Sequence, residues 1–241
     1  MLFNYSFDTR VLPTVWKSAR ITPLYKGGKR VSANNYRPIS LTSICCKIME
    51  KIVKRELMCF FEQNNLLSDA QHELRRGRSC VTKLLYCLER WTRAVDEGTP
   101  LHVIYIDFKK AFDSVPHQRL LHELSELGVR GNLLKWIRGF LLGRTQIVHI
   151  GDQQSAEVAV ESGVPQGSVL GPILLIIYVN DSVREPDYDV AMFADDIKIW
   201  KVIKNTADEQ QLQLNLNRLQ RWSHEWLLPF NENKFSILRV G

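Results

Sequence analysis

The stretch "MFADDIKIW", residues 192–200, places two adjacent carboxylates between two apolar, strand-like segments. "YDVAM" before it and "IKIWK" after it read as strands joined through Ala194, Asp195 and Asp196, a hairpin with its acids at the tip. Two unit charges about 4 Å apart repel by roughly 4 kcal/mol at an effective dielectric near 20, so something must offset the pair. Solvation on an exposed turn is one answer, because Asp is a common turn residue. A hard divalent cation is the other, since oxygen ligands on a tight turn suit a magnesium-type ion. The rest of the chain has to decide between them.

A third carboxylate favours the cation. "LHVIYIDF" reads as a buried strand ending at Asp107, and if that strand neighbours the hairpin, Asp107 converges on Asp195 and Asp196. Three acids at adjoining strand ends form an oxygen cage of the kind that holds two divalent ions, which activate a hydroxyl and stabilise a leaving phosphate oxygen.

Around this pair of segments the chain alternates helices with mostly antiparallel strands, an α+β layout. Helical spacing predicts helices over 41–64 and 79–97, the second carrying Val81, Leu84, Leu85, Leu88, Trp91 and Val95 on one face. Pro116 opens a third helix stopped by Gly128, and a fourth is expected over 131–142. "TQIVHIG" and "AEVAV" read as a strand pair, followed by the Gly/Pro-shaped loop "SGVPQGSVLGP" and the apolar run "ILLIIYVN", a buried helix or strand. A helix over 206–227 and a strand at "FSILRV" close the chain.

Among 241 residues no apolar run reaches the length of a membrane span and the start lacks a signal-peptide layout, so an intracellular protein without membrane attachment is expected. The five cysteines are odd in number and lack C-x-x-C spacing, which argues for reduced core thiols and no zinc site. Charge is uneven. Residues 1–60 hold 11 Lys or Arg against 3 Asp or Glu, a local +8, while the remainder is −2. Such asymmetry suits a lobe facing a polyanion, although a basic surface alone does not require one.

The blocks "WKSARITPLYKGGKR", "NYRPISLTS", "IDFKKAFDSVPH", "SGVPQGSVLGPILL", "FADD" and "WLLPFNENKF", in this order, resemble the reverse transcriptase of non-LTR retrotransposons, the jockey group of LINE-type elements above all. The resemblance spans nearly the whole chain. It implies a right-hand polymerase fold, with fingers over about 1–100 and a palm, plus part of the fingers, over about 101–241, together one reverse transcriptase domain. It implies RNA-directed DNA polymerisation on an RNA template and DNA primer with deoxynucleoside triphosphates, in a nuclear or cytoplasmic ribonucleoprotein. Two Mg²⁺ or Mn²⁺ ions would be held by Asp107 and Asp195, with Asp196 in a less direct role. Phe112 matches the side chain that screens the sugar 2′-hydroxyl, and Lys26 and Arg37 match residues that grip the triphosphate. Gln166 and Gly167 match the loop beside the nascent base pair, and Lys234 matches a lysine that protonates pyrophosphate.

Each assignment has a plainer rival: core packing for Phe112, solvated charge for Lys26 and Lys234, a bare turn for Gln166 and Gly167. Arg75, Arg76 and Arg78 in "LRRGRSC" would track template phosphates, or form a solvated loop. Here the chain departs from its relatives: Glu73 and Leu74 stand where Gly-Phe is usual, and the glycine suggests a special backbone angle. Leu175 and Phe235 replace a usual Phe and Cys. The family's endonuclease and thumb do not fit in this length, so the chain is expected to be a fragment. An inactive truncated remnant that retains fold and RNA binding is the alternative to a polymerase, and a metal-dependent nuclease is a third class.

Overall fold

The computed structural model describes residues 2–183 and 188–241. Its helices are α1 (Leu2–Thr9), α2 (Thr14–Lys17), α3 (Ile44–Gln63), α4 (Cys80–Asp96), α5 (Ala111–Ser114), α6 (His117–Glu126), α7 (Gly131–Leu141), α8 (Gly171–Asn180) and α9 (Thr206–Glu225). Its strands are β1 (Ser18–Tyr25), β2 (Tyr36–Leu41), β3 (Leu101–Ile106), β4 (Arg144–Ile150), β5 (Gln153–Gln154), β6 (Val158–Val160), β7 (Asp189–Phe193), β8 (Asp196–Val202) and β9 (Ser236–Val240).

Compactness divides the chain into two units, each discontinuous in sequence: residues 1–60 with 115–174, and residues 61–114 with 175–241. This partition differs from the boundary expected near residue 100. The reason is long-range pairing: in the first unit β1 pairs in parallel with β4, Ser18 opposite Thr145. A parallel pair needs a long crossover, and here the crossover includes the whole of the second unit's first segment.

In the first unit the strands run in the order β2, β1, β4, β5, with β6 also on β4. The expected pairing of "TQIVHIG" with "AEVAV" is present as β4 against β6. The pair β1 and β2, which hydrophobic alternation did not disclose, forms an antiparallel hairpin with Tyr25 opposite Tyr36. Trp136 and Phe140 of α7 are fully buried and stack 5.9 Å apart, and the Trp136 indole donates to Ser6 Oγ of α1 at 3.2 Å. An exposed Trp16 would cost a large apolar area; it is 2% exposed.

In the second unit the sheet order is β7, β8, β3, β9, all antiparallel. One face packs on α4 through Leu101, Val103, Ala191 and Trp200. The apolar positions expected inward on α4 are a correction: Val81, Leu84, Leu85, Leu88 and Val95 are exposed. The helix instead buries Lys83, Cys87 and Ala94, with Tyr86 and Trp91 packed against the Trp200 cluster. Two stripes of α4 carry apolar residues, and periodicity cannot say which one meets the sheet. Elsewhere in this unit Tyr178, Trp222 and Trp226 form an aromatic cluster, with the Tyr178 hydroxyl donating to the Trp226 carbonyl. All five cysteines are free, but only Cys46 and Cys87 are buried; Cys45, Cys59 and Cys80 are exposed, contrary to the expected core placement. No helix among the described residues is long and apolar enough to cross a membrane.

Candidate active site

The acids of the second unit converge because β3 and β8 are neighbours. Their antiparallel register sets Ile106 opposite Ile197, so the next pair outward is Asp107 and Asp196. Asp195 lies one residue further into the turn that joins β7 to β8. Burial pushes the Asp195 carboxyl up to about 6, and the negative charges of Asp196 and Asp107 add to the shift while its own backbone N–H and Lys234 oppose it. Burial is the larger cause and the repulsion inferred from sequence adds to it; Asp195 is half-buried, while Asp196 is exposed.

Lys234 supplies the counter-charge. Its Nζ forms an ion pair and hydrogen bond with Asp107 Oδ2, and Asp107 holds the ammonium above its ordinary range. The segment carrying Lys234 is itself tied to the end of β3. Asn231 N donates to the Asp107 carbonyl at 2.8 Å, Lys109 N donates to Pro229 O at 2.8 Å, and Phe108 stacks on Phe230 at 5.1 Å. Asn231 Nδ2 lies 3.5 Å from Asp107 Oδ2, a contact that sequence reasoning missed.

A cavity of about 500 Å³ opens beside these acids, lined by Asp107, Asp196, Lys234, Lys83, Lys198 and Tyr105 among others. Lys83, unnoticed in the sequence, is 4% exposed and donates to the Asp196 carbonyl at 3.3 Å. Desolvation and then the nearby Lys198 lower its affinity for a proton. Lys198 reaches over the Trp91 and Tyr105 rings, 5.8 and 5.1 Å from their centroids. Among the described residues no three His, Cys, Asp or Glu side chains are arranged as a ready metal cluster. The donor set of Asp107, Asp195 and Asp196 fits a hard divalent ion chemically, for it offers oxygen ligands whose mutual repulsion such an ion would relieve.

The turn itself is held from outside. Ala194 adopts a left-handed backbone, φ 52°, which costs a residue with a side chain of order 1 kcal/mol. Gln71, 1% exposed, grips it with both ends of its carboxamide: Oε1 accepts from Ala194 N and Nε2 donates to Ala194 O, each at 3.1 Å. No sequence pattern singled out Gln71.

The arginine-bearing stretch behaves unevenly. Arg75 donates to Ser68 O at 2.7 Å and pairs with Asp69, and Arg78 also pairs with Asp69, at 2.7 Å. Both guanidiniums are thus engaged within their own loop, while the Arg76 side chain is exposed. Glu73, at the position where a glycine was expected, is not left-handed; the positive φ of 57° falls on Leu74. Gln71 Oε1 also accepts from Glu73 N at 3.0 Å, which keeps this bend in place without a glycine. Leu175 is fully buried, and Phe235 meets Phe230 edge-on at 6.1 Å, so both departures are accommodated by packing. Phe112, on α5, is half-buried and does not line the cavity.

In the first unit, the loop preceding α8 presents Gln166 and Gly167. Gln166 O accepts from Ser40 N of β2 at 2.6 Å, and Gly167 has φ 103° with Ser40 O so close that an added Cβ would stand 2.8 Å from it. Only glycine fits there, both for space and for backbone angle. Behind the loop, the fully buried Glu50 of α3 accepts from Val169 N at 2.7 Å and Leu170 N at 2.9 Å, the first free amides before α8. Glu50 was not singled out in the sequence; its one signal was an acid at a helix position between Cys46 and Val53, which are both core. Arg37 on β2 is exposed, and so is Lys26, which follows β1 and donates its N–H to Asn35 O at 2.8 Å.

Comparison with known proteins agrees with this arrangement. The family described as reverse transcriptase (RNA-dependent DNA polymerase) matches residues 25–240. The chain is 29% identical, over 97% of its length, to a probable RNA-directed DNA polymerase from transposon BS of Drosophila melanogaster, of which it covers 27%. It is likewise 29% identical, over 97% of its length, to the RNA-directed DNA polymerase from mobile element jockey of the same organism, of which it covers 26%. It spans about a quarter of these curated relatives. Its fold matches apo telomerase from Candida tropicalis truncated from the C-terminal domain, with TM-score 0.67 and 12% identity over 100% of this chain and 54% of that one. A second match is telomerase from Candida tropicalis in complex with a fragment of telomeric RNA, with TM-score 0.64 and 11% identity over 99% and 44%. The chain thus belongs to the reverse transcriptase family, with non-LTR retrotransposon RNA-directed DNA polymerases as homologues, and it has the right-hand polymerase fold.

Proposed function

We propose that this chain catalyses RNA-directed DNA synthesis, joining the 3′-hydroxyl of a DNA primer to the α-phosphate of a deoxynucleoside triphosphate opposite an RNA template. The observation that carries the reading is the register of β3 and β8, with Asp107 opposite Asp196 and the charge-crowded Asp195 beside them. The second unit is assigned to the palm, and β1, β2 and α3 of the first unit to the fingers.

Asp107 and Asp195 are the principal metal ligands in this reading, and Asp196 assists. Two magnesium-type ions, when bound, would activate the attacking hydroxyl and stabilise the leaving phosphate oxygen. Lys234, held against Asp107 yet exposed, is placed to release toward the departing pyrophosphate and give it a proton. Asn231 keeps the Asp107 backbone in place as that pair breaks. Phe112 screens the sugar 2′-hydroxyl. In the first unit, exposed Lys26 and Arg37 bind phosphate, Arg37 with the fork that suits it. The Gln166–Gly167 loop, pinned by Ser40 and Glu50, borders the nascent base pair. Of the three arginines, Arg76 is assigned to template phosphates, because Arg75 and Arg78 are occupied by Asp69.

Primer extension on an RNA template with Mg²⁺ or Mn²⁺ tests the proposal, with Asp195→Asn as the control. Metal-dependent extension by the parent chain and none by the variant is the expected result. Equal extension by both would overturn the assignment of the acids. No extension by either, with RNA binding retained, would mark the chain as a folded remnant.

A further inference from the structure

The segment that precedes the arginine-bearing loop does more than lead into it. Ala70 and His72 pair with β7 as a short parallel strap: Met192 N donates to Ala70 O at 2.8 Å and His72 N donates to Met192 O at 3.0 Å. His72 Nδ1 lies 3.0 Å from Thr82 Oγ1, and Thr82 is part of the capping box that Ser79 closes at the start of α4. Gln71 therefore leaves a backbone fixed on both sides. Its carboxamide extends the ladder by one rung beyond Met192, with the planar amide taking the place of a peptide group against Ala194.

We infer that Gln71 is a positioning residue for the catalytic turn: its carboxamide fixes the left-handed Ala194 and so the direction in which Asp195 leaves the backbone. The side-chain chemistry is specific. Ala194 presents one donor and one acceptor, and a carboxamide matches both at once without charge. A carboxylate could accept from Ala194 N but not donate to Ala194 O, and it would bring a fourth negative charge to Asp107, Asp195 and Asp196. A shorter Asn falls one methylene short of the turn. Without the clamp, the crowded acids are free to spread apart by turning the peptide on which Asp195 sits. The link from Gln71 to the turn stands on these contacts alone; the link to catalysis rests on the polymerase reading.

Hydrogen–deuterium exchange of the full chain, read on peptides covering 192–197 and 101–106, separates the two links. Gln71→Ala, and the isosteric Gln71→Glu if the alanine variant does not fold, should raise exchange at the turn by at least about tenfold while the β3 peptide stays protected. Primer extension should lose kcat by a comparable factor with KM for the nucleotide unchanged, since the clamp touches no substrate. Unchanged exchange at the turn in a folded variant would overturn the inference. So would raised exchange with kcat untouched, for the turn would then not need holding. Raised exchange in a chain whose parent extends no primer would keep the clamp and discard the polymerase reading instead.

Discussion

Two turns carry the proposed chemistry, and they are supported in opposite ways. The Asp195 turn is held by Gln71, a neutral side chain that both donates and accepts. The Gln166–Gly167 loop is held by Glu50, a buried carboxylate that only accepts. The difference follows from what each turn exposes. Behind the loop stand free amides at the start of α8, which favour negative charge. Beside the Asp195 turn stand three acids, where another negative charge would add to the burial, and to the lesser repulsion, that already lift Asp195 to about 6. The backbone follows the same division. The loop uses glycine at φ 103°, whereas the turn uses alanine at φ 52° and depends on its clamp.

The largest expected effect breaks the charged support. Glu50→Ala leaves the Val169 and Leu170 amides without their acceptor and should cost about 3–4 kcal/mol in urea unfolding. Glu50→Gln, which keeps an accepting oxygen, should cost clearly less; equal losses would show that shape rather than charge holds the loop. Next comes the charge cost of the turn. An acid whose folded pKa is raised from 3.8 to about 6 favours folding while protonated, so the metal-free chain should lose about 2–3 kcal/mol as pH rises between those values. That loss is complete above the upper value. Asp195→Asn should flatten this part of the profile of Tm against pH and raise Tm near neutrality, though it abolishes extension. A profile unchanged by the substitution would remove the electrostatic half of the comparison.

Gly167→Ala tests the loop's backbone requirement and should cost about 2 kcal/mol, from the clash with Ser40 O and the positive φ together. Ala194→Gly, at the corresponding residue of the other turn, should be nearly neutral, because relief of the left-handed strain is offset by glycine's greater freedom in the unfolded chain. The smallest effect concerns binding. Arg76→Ala should lower the slope of log affinity for RNA against log salt by about 1, and Arg75→Ala should leave that slope close to its parent value.

The acids were legible in the sequence because strand patterns and spacing constrain them directly: a buried strand ending in Asp107 and a hairpin tipped by Asp195 leave few arrangements. Helix positions were legible for the same reason, with the expected 79–97 realised as Cys80–Asp96. The orientation of α4 was not, since its open stripe is as apolar as its buried one. Gln71, Glu50 and Asn231 were also illegible. Each acts on backbone groups more than 100 positions away in sequence, and a hydrogen bond to a distant peptide leaves no periodicity. The strands β1 and β2 were missed because "SARITPLY" and "YRPISL" carry prolines and irregular alternation, and β4, the other partner of β1, lies beyond the second unit's first segment.

The parallel pairing of β1 with β4 has a consequence for how the protein is made. Thr145 emerges from the ribosome 127 residues after Ser18. At about 5–20 residues per second, β1 waits roughly 6–25 s for the strand that will cover its edge. During that interval β1 can pair with β2, but its other edge stays open, in a segment that carries a local excess of positive charge.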